Sequence, residues 1–353
     1  MAPRRPRETE TPEPDRIPGY AHPRETPRLV GHEAVLARAA LAIRSGRPPQ
    51  AWLIAGPPGI GKATLAYRIA RYLLAYGASD KGAADLSVPS NEAASMQVAA
   101  GSHPGLLALR RSINQKTGKL MTVISVDEVR RLGGFFGMTS GAGGWRIAIV
   151  DTADDMNENA ANALLKLLEE PPSRAGLMLL ANAPGRLLPT IRSRCQRLDL
   201  RPLDDALVAA ELARLVPQLS PAKRAAVARL AGGSIGLALQ LAGGEGVMLA
   251  EEADKLIIAA AVPDVPALIG LGDRLARTTD GIDSFGTFLQ QSLTGRIRTR
   301  AHDAAPHLDR WLDCLANIEA SFQRTDALHL DPRTTVLSAA HSVAGAARRA
   351  GPL

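Results

Sequence analysis

Apolar and polar residues follow two rhythms along this chain. Before Pro202, short unbroken apolar runs alternate with amphipathic stretches of helical period; beyond it only the helical period persists. Ala51–Ala55, Ile147–Asp151, Leu177–Ala181 and Gln196–Leu200 read as strands. The run Ile147-Ala148-Ile149-Val150, closed by Asp151, has the form of a central parallel strand covered on both faces. Helices are expected from Glu33 to Ser45, with Ala, Val, Leu and Ile inward, and from Ala63 to Leu74. A third is expected from Ser125 toward Phe136, opened by a Ser-x-x-Glu capping box and weakened near its end by Gly133-Gly134. From Asn159 to Glu170, Ala160, Ala161, Leu164, Leu165 and Leu168 share one stripe, and Pro171-Pro172 stops the element. Such alternation predicts a parallel α/β sheet. Between Tyr76 and Pro104 no period is sustained, so a long excursion over the surface is expected. Residues 202–245 then read as a small helical domain and 246–353 as a second one. In the latter, Trp311, Leu312, Leu315 and Ile318 stand at helical spacing as core plus oligomer surface.

Composition narrows the classes further. The 353 residues suffice for two or three domains, and a formal charge of +7, from 42 basic against 35 acidic residues, permits acidic or nucleic-acid partners without demanding them. Cys195 and Cys314 are the two cysteines, too few for a disulfide framework or a four-cysteine zinc site. Met1 to Arg28 carries seven prolines among scattered charges, which predicts a disordered tail and no secretory signal. No apolar run approaches the roughly 18 residues of a membrane span. A soluble protein of the cytoplasm is expected.

Candidate chemistry centres on Gly56-Pro57-Pro58-Gly59-Ile60-Gly61-Lys62, set between a strand and a helix. A G-x-x-x-x-G-K-[ST] loop brings backbone NH groups against phosphate oxygens, reaches the outer phosphates with its Lys, and holds Mg²⁺ with its hydroxyl. Here the hydroxyl position is Ala63. Thr64, one residue further, is turned about 100° around the helix and is a poor substitute. Phosphate binding is therefore expected and metal positioning compromised. Asp151 stands where a Mg²⁺-linked Asp would be, but Thr152 follows in place of the Glu that orients attacking water. Asp154 and Asp155 read as caps of the next helix, and Asn182 as a polar sensor of the γ-phosphate. No residues suggest a resident metal or a two-metal polymerising centre. Cys195 reads as a small packed residue, since no neighbouring His would activate it.

The run Ala161-Asn162-Ala163-Leu164-Leu165-Lys166-Leu167-Leu168-Glu169-Glu170-Pro171-Pro172, followed by Ser193-Arg194-Cys195, resembles the clamp-loader branch of the AAA+ superfamily. More narrowly it is similar to the delta-prime family of bacterial DNA polymerase III. Gly31-His32-Glu33, His103-Pro104-Gly105, Val126-Asp127-Glu128-Val129-Arg130 and Leu328-His329-Leu330-Asp331-Pro332 agree, so the likeness covers nearly everything after Leu29.

The resemblance implies a tail over 1–28, an AAA+ α/β domain over 29–201, a helical lid over 202–245 and an all-α collar over 246–353. It further implies a five-subunit ring with clamp-loader ATPase and delta-type subunits, which opens a sliding clamp and closes it on primed DNA. In such rings the Ser-Arg-Cys arginine, here Arg194, reaches the γ-phosphate held by a neighbour; its bland alternative is a pair with a surface carboxylate. Gly236 stands where catalytic subunits place a sensing Arg. Many relatives carry a four-cysteine zinc module where Tyr76–Gly101 has none, so no zinc is expected. Three readings stay open at this point: a largely non-hydrolysing subunit that lends Arg194, an autonomous AAA+ ATPase such as the loader motor or a remodeller, and a module regulated by ATP occupancy without turnover.

Overall fold

Five short strands form one parallel sheet in the order β2-β3-β4-β1-β5 in the computed structural model. They are β1 (Ala51–Ala55), β2 (Leu106–Leu109), β3 (Arg146–Val150), β4 (Ala175–Ala181) and β5 (Gln196–Asp199). The structure describes residues 16–113, 121–137, 144–243, 246–259, 264–278, 281–302, 307–328, 330–351 and 353. By its contacts the chain divides into two units, one holding the chain to Arg214 with Gly233–Leu237, the other Leu215–Gly232 with Ala238–Leu353.

In the first unit, β1 and β4 are buried at every position and β3 at all but Arg146, as a sheet covered on both faces requires. The edge strand β5 buries Leu198 and exposes its polar neighbours. Register places Trp52 opposite Met178 and Gln196, so β1, β4 and β5 begin along one edge of the sheet and end along the other. The helices α1 (Glu33–Arg44), α2 (Lys62–Tyr76), α4 (Val126–Gly137) and α5 (Glu158–Glu169) match the sequence pattern to within two residues at each end. Ser125 N donates to Glu128 Oε2 at 3.1 Å, one half of the expected capping box. Ala160, Ala161, Leu164 and Leu168 of α5 are buried in the sheet's core, with Leu165 packed at its margin.

Three features depart from the pattern-based reading. First, β2 was not expected: Leu106–Leu109 is too short to announce itself and earns strand geometry by pairing with β3. Second, the excursion from Tyr76 to Pro104 contains α3 (Ala93–Ala99) and buries Leu86, Ala94 and Val98. Third, a disordered start running to Arg28 is corrected over its described part. His22 is fully buried, lies edge-on to Tyr67 with ring centroids 5.8 Å apart, and caps a 3₁₀ turn at Pro23–Glu25. Two buried arginines of α2 explain this docking. Arg71 donates to Arg24 O, while Arg68 donates to Pro27 O at 2.7 Å and to Asp85 at 2.9 and 2.7 Å. Composition argues for disorder from a lack of apolar burial; here backbone carbonyls satisfying buried guanidinium groups supply the anchoring instead. Residues 1–15 lie outside the described residues.

The helical region is likewise divided differently from 202–245 and 246–353. The break falls at the last residue of α7 (Asp205–Leu215), and Gly233–Leu237, which opens α9 (Ile235–Ala242), belongs with the sheet. The second unit holds α8 (Pro221–Leu230), α10 (Gly246–Ile258), α11 (Val265–Arg277), α12 (Gly281–His302), α13 (Leu308–Leu328) and α14 (Pro332–Ala350). Phe285, Leu289 and Leu293 of α12, Trp311 and Ile318 of α13, and Val336 and Val343 of α14 are buried there. Leu312 is 54% exposed, which splits the expected apolar stripe between core and surface. Among the described residues no helix is long and apolar enough to cross a membrane.

Candidate functional site

The phosphate-type loop leaves the end of β1 with its backbone held on both sides: Gly56 N donates to Ala181 O at 3.2 Å and Leu200 N to Ala55 O at 2.8 Å. Gly59 (φ 69°) and Gly61 (φ 107°) adopt the left-handed backbone that a side chain would resist, and Gly61 caps α2. Lys62, the first residue of α2, is buried. Its Nζ donates to Gly56 O at 2.9 Å, Pro57 O at 2.8 Å and Asn182 Oδ1 at 2.6 Å. The structure therefore brings the loop, Lys62 and Asn182 together. Ala63 and Thr64 follow in the first turn of α2, half-buried, with Ala63 offering no hydroxyl.

Asn182 is set by a residue assigned otherwise from sequence. The Asp154 carboxylate accepts from Asn182 N at 3.1 Å and from Ala183 N at 2.7 Å, tying the end of β4 to the turn after β3. It does not cap the next helix. Asn157 does that, accepting from Ala160 N at 2.9 Å. Asp155, the other expected cap, pairs with Arg111 at 3.5 Å, and burial raises its carboxyl above the ordinary range. Signals for Asp154 emerge only once β3 and β4 are known as neighbours. Asp151 continues the β2–β3 ladder through its N–H to Leu109 O at 2.8 Å, and its own carbonyl accepts the Thr152 hydroxyl at 2.7 Å. Thr152 stands at φ 54°, an uncommon conformation for a β-branched residue.

Three further hydrogen bonds reach the loop. His32 is buried with Nε2 2.9 Å from Ile60 O; a carbonyl only accepts, so Nε2 carries the proton. Burial holds this imidazole below its ordinary pKa, against smaller opposing effects of that hydrogen bond and of Glu33, and favours the neutral ring. From the start of α9, Ser234 Oγ donates to Pro58 O at 2.9 Å and Gly236 N to Gly59 O at 2.9 Å.

Arg194 lies elsewhere. It ends α6 (Pro189–Arg194), two residues before β5 begins, with Gln196 registered opposite Trp52. That is the edge where the strands start, whereas the loop follows their ends. The five residues of β1 span roughly 16 Å between these edges. The Arg194 guanidinium donates to Glu169 Oε1 at 3.0 Å and to Thr190 O at 3.1 Å, with 37% of the side chain exposed. Beside it a cavity of about 220 Å³ is lined by Phe136, Leu167, Leu168, Pro171, Pro172 and Leu177. Burial pushes the neighbouring Cys195 thiol up to about 11, which keeps it protonated and unsuited to attack. Among the described residues no cluster of His, Cys, Asp or Glu could hold a metal ion.

A parallel sheet with a glycine-rich loop joining β1 to α2, and a polar residue on the adjacent strand end holding the loop lysine, defines a P-loop-type α/β fold. Residues 31–204 match the family described as DNA polymerase III, delta subunit. Over this region, just under half of the chain, the sequence is similar to that family, and its likeness there is to delta-prime subunits. It is 40% identical over 199 residues to DNA polymerase III subunit delta' of Pseudomonas aeruginosa, covering 56% of each chain. It is 33% identical over 202 residues to the subunit delta' of Escherichia coli, covering 57% of each. DNA polymerase III subunit gamma/tau of Mycobacterium bovis is 32% identical over 198 residues, 54% of this chain and 31% of that one. The chain thus spans little more than half the length of the delta-prime relatives it matches.

Proposed function

We propose that this chain is a delta-prime-like subunit of a bacterial clamp loader, a largely non-hydrolysing AAA+ member that lends Arg194 to a neighbouring ATPase subunit. One observation carries the reading: Arg194 occupies the opposite edge of the sheet from the chain's own loop. A guanidinium there serves another molecule's phosphate or none. Its charge and fork of donors suit the charge that develops during phosphoryl transfer, and such fingers are worth on the order of 10³ to 10⁵ in rate. The proposed partners are ATPase and delta-type subunits in a five-membered ring, the sliding clamp and primed DNA, in the cytoplasm where replication proceeds.

Within the chain itself, Gly56 to Lys62 and Asn182 would hold ATP phosphates, with Asp151 near the metal side. Ala63 removes the hydroxyl ligand and Thr152 the water-orienting carboxylate, so binding without turnover is the expected activity, and zinc is not expected. The complete glycine pattern with Lys62 favours the alternative of an autonomous ATPase only if the isolated chain hydrolyses ATP.

The test uses a reconstituted loader in which only the subunit contacted by Arg194 is competent to hydrolyse. Arg194→Ala should lower clamp- and DNA-stimulated phosphate release at least 10²-fold while the ring still assembles. Undiminished release would overturn the proposal.

A further inference from the structure

Six consecutive carbonyls of the loop each receive a donor from within the chain. Those of Gly56 and Pro57 are taken by Lys62 Nζ, that of Pro58 by Ser234 Oγ, and that of Gly59 by Gly236 N. His32 Nε2 serves Ile60, and Leu65 N serves Gly61 at 3.0 Å. The middle two bonds come from a segment about 175 residues away in sequence, itself anchored where Leu203 N donates to Gly233 O at 3.1 Å.

Contact at that point is backbone on backbone. A Cβ added to Gly236 would stand 2.6 Å from Gly59 Cα, and one added to Gly59 would meet Ser234 Oγ at 2.6 Å and Gly236 Cα at 3.0 Å. Gly59 needs glycine for its left-handed backbone as well. Gly236 does not: its φ is not positive, and it sits in the first turn of a helix, where glycine is disfavoured. Space alone requires it. The three protons of Lys62 Nζ are also matched by three oxygens of the chain, and a polyphosphate must draw them away from Gly56, Pro57 and Asn182.

We propose that Gly236 sets the loop's affinity for polyphosphate, by allowing the Ser234–Gly236 segment to close on Gly59 and hold the loop in a self-satisfied form. This rests on reading the loop as a nucleotide site and goes beyond it. The position is more than a missing sensing arginine, because any side chain there forces the segment off the loop. Nucleotide capture then requires the two hydrogen bonds and the glycine contact to open, and weakening them favours capture. Each neutral hydrogen bond is worth about a factor of 2 to 10, so the latch lowers affinity by roughly tenfold or more.

The experiment titrates a fluorescent ATP analogue into the full chain as wild type, Gly236→Ala, Ser234→Ala and Lys62→Ala. Gly236→Ala should bind at least tenfold tighter than wild type, and Ser234→Ala about threefold tighter. Should Gly236→Ala misfold by circular dichroism, Ser234→Ala decides, since without adding bulk it removes the bond to Pro58 O, along with the one that Ser234 Oγ accepts from Leu237 N at the start of α9. Hydrogen exchange supplies the second readout: the peptide spanning Ser234–Leu237 should exchange faster when wild type is saturated with the analogue. Wild-type binding lost in Lys62→Ala but unchanged by either latch variant would overturn the latch and leave the loop as a nucleotide site. No binding by any variant would overturn both.

Discussion

Removing the Asp154 carboxylate should loosen the loop-bearing edge of the sheet more than its position in a turn suggests. Asp154→Ala leaves Asn182 N and Ala183 N without the acceptor they share at 3.1 and 2.7 Å. An unpaired buried N–H costs about 1–3 kcal/mol. Asn182 and Ala183 are half-buried and regain some water, so the lower part of that range applies to each and the total is roughly 2–3 kcal/mol. For a unit of this size that lowers Tm by roughly 4–12 °C. Urea denaturation gives the free energy, and hydrogen exchange across β4 locates it: peptides ending at Asn182 should lose protection while α1 keeps its own. Asp154→Asn, which retains one acceptor oxygen, should fall between. A loss below about 0.5 kcal/mol, the level of an ordinary surface substitution, would show that Asp154 does not hold the end of β4.

Other consequences follow from single groups. Leu164 is fully buried in α5, so Leu164→Ala should cost about 2–5 kcal/mol in urea denaturation. Leu312→Ser, at an exposed site, should leave the chain's own stability within about 0.5 kcal/mol; if α13 meets a partner there, it weakens co-purification with the proposed partner subunits. Because burial holds His32 below its ordinary 6.5, the unfolded chain takes up the proton first and stability falls as pH drops below that value. His32→Gln, whose amide can still donate to Ile60 O, should flatten that part of the pH–stability curve, with Glu33 beside it unchanged. At pH 8, Cys195, pushed up to about 11 from 9.0, should alkylate about 100-fold more slowly than an unburied thiol, as measured by mass spectrometry.

Central strands, the loop and the α5 helix were legible because each is dictated by its own residues: unbroken apolar runs for β1, β3 and β4, a glycine spacing, a stripe ended by Pro171-Pro172. Less legible were elements whose reason lies in a neighbour. Leu106–Leu109 becomes a strand because β3 offers it a ladder, and the segment from Arg24 to Pro27 is held at its two ends by Arg71 and Arg68, 47 and 41 residues onward. Site chemistry divides the same way. Lys62 and Arg194 are announced by their motifs, whereas Asp154 reaches Asn182 only because parallel pairing sets β3 beside β4. Gly236 shows in sequence as an absent arginine; its contact with Gly59 needed the fold.

The proposal that the chain serves a neighbour's nucleotide rather than its own is tested by comparing two variants in the same reconstituted loader, Lys62→Ala and Arg194→Ala. Clamp- and DNA-stimulated phosphate release should stay within about twofold of wild type in the first, and fall at least 10²-fold at the site served in the second. Collapse in Lys62→Ala with Arg194→Ala unaffected would contradict the account and make this chain the motor.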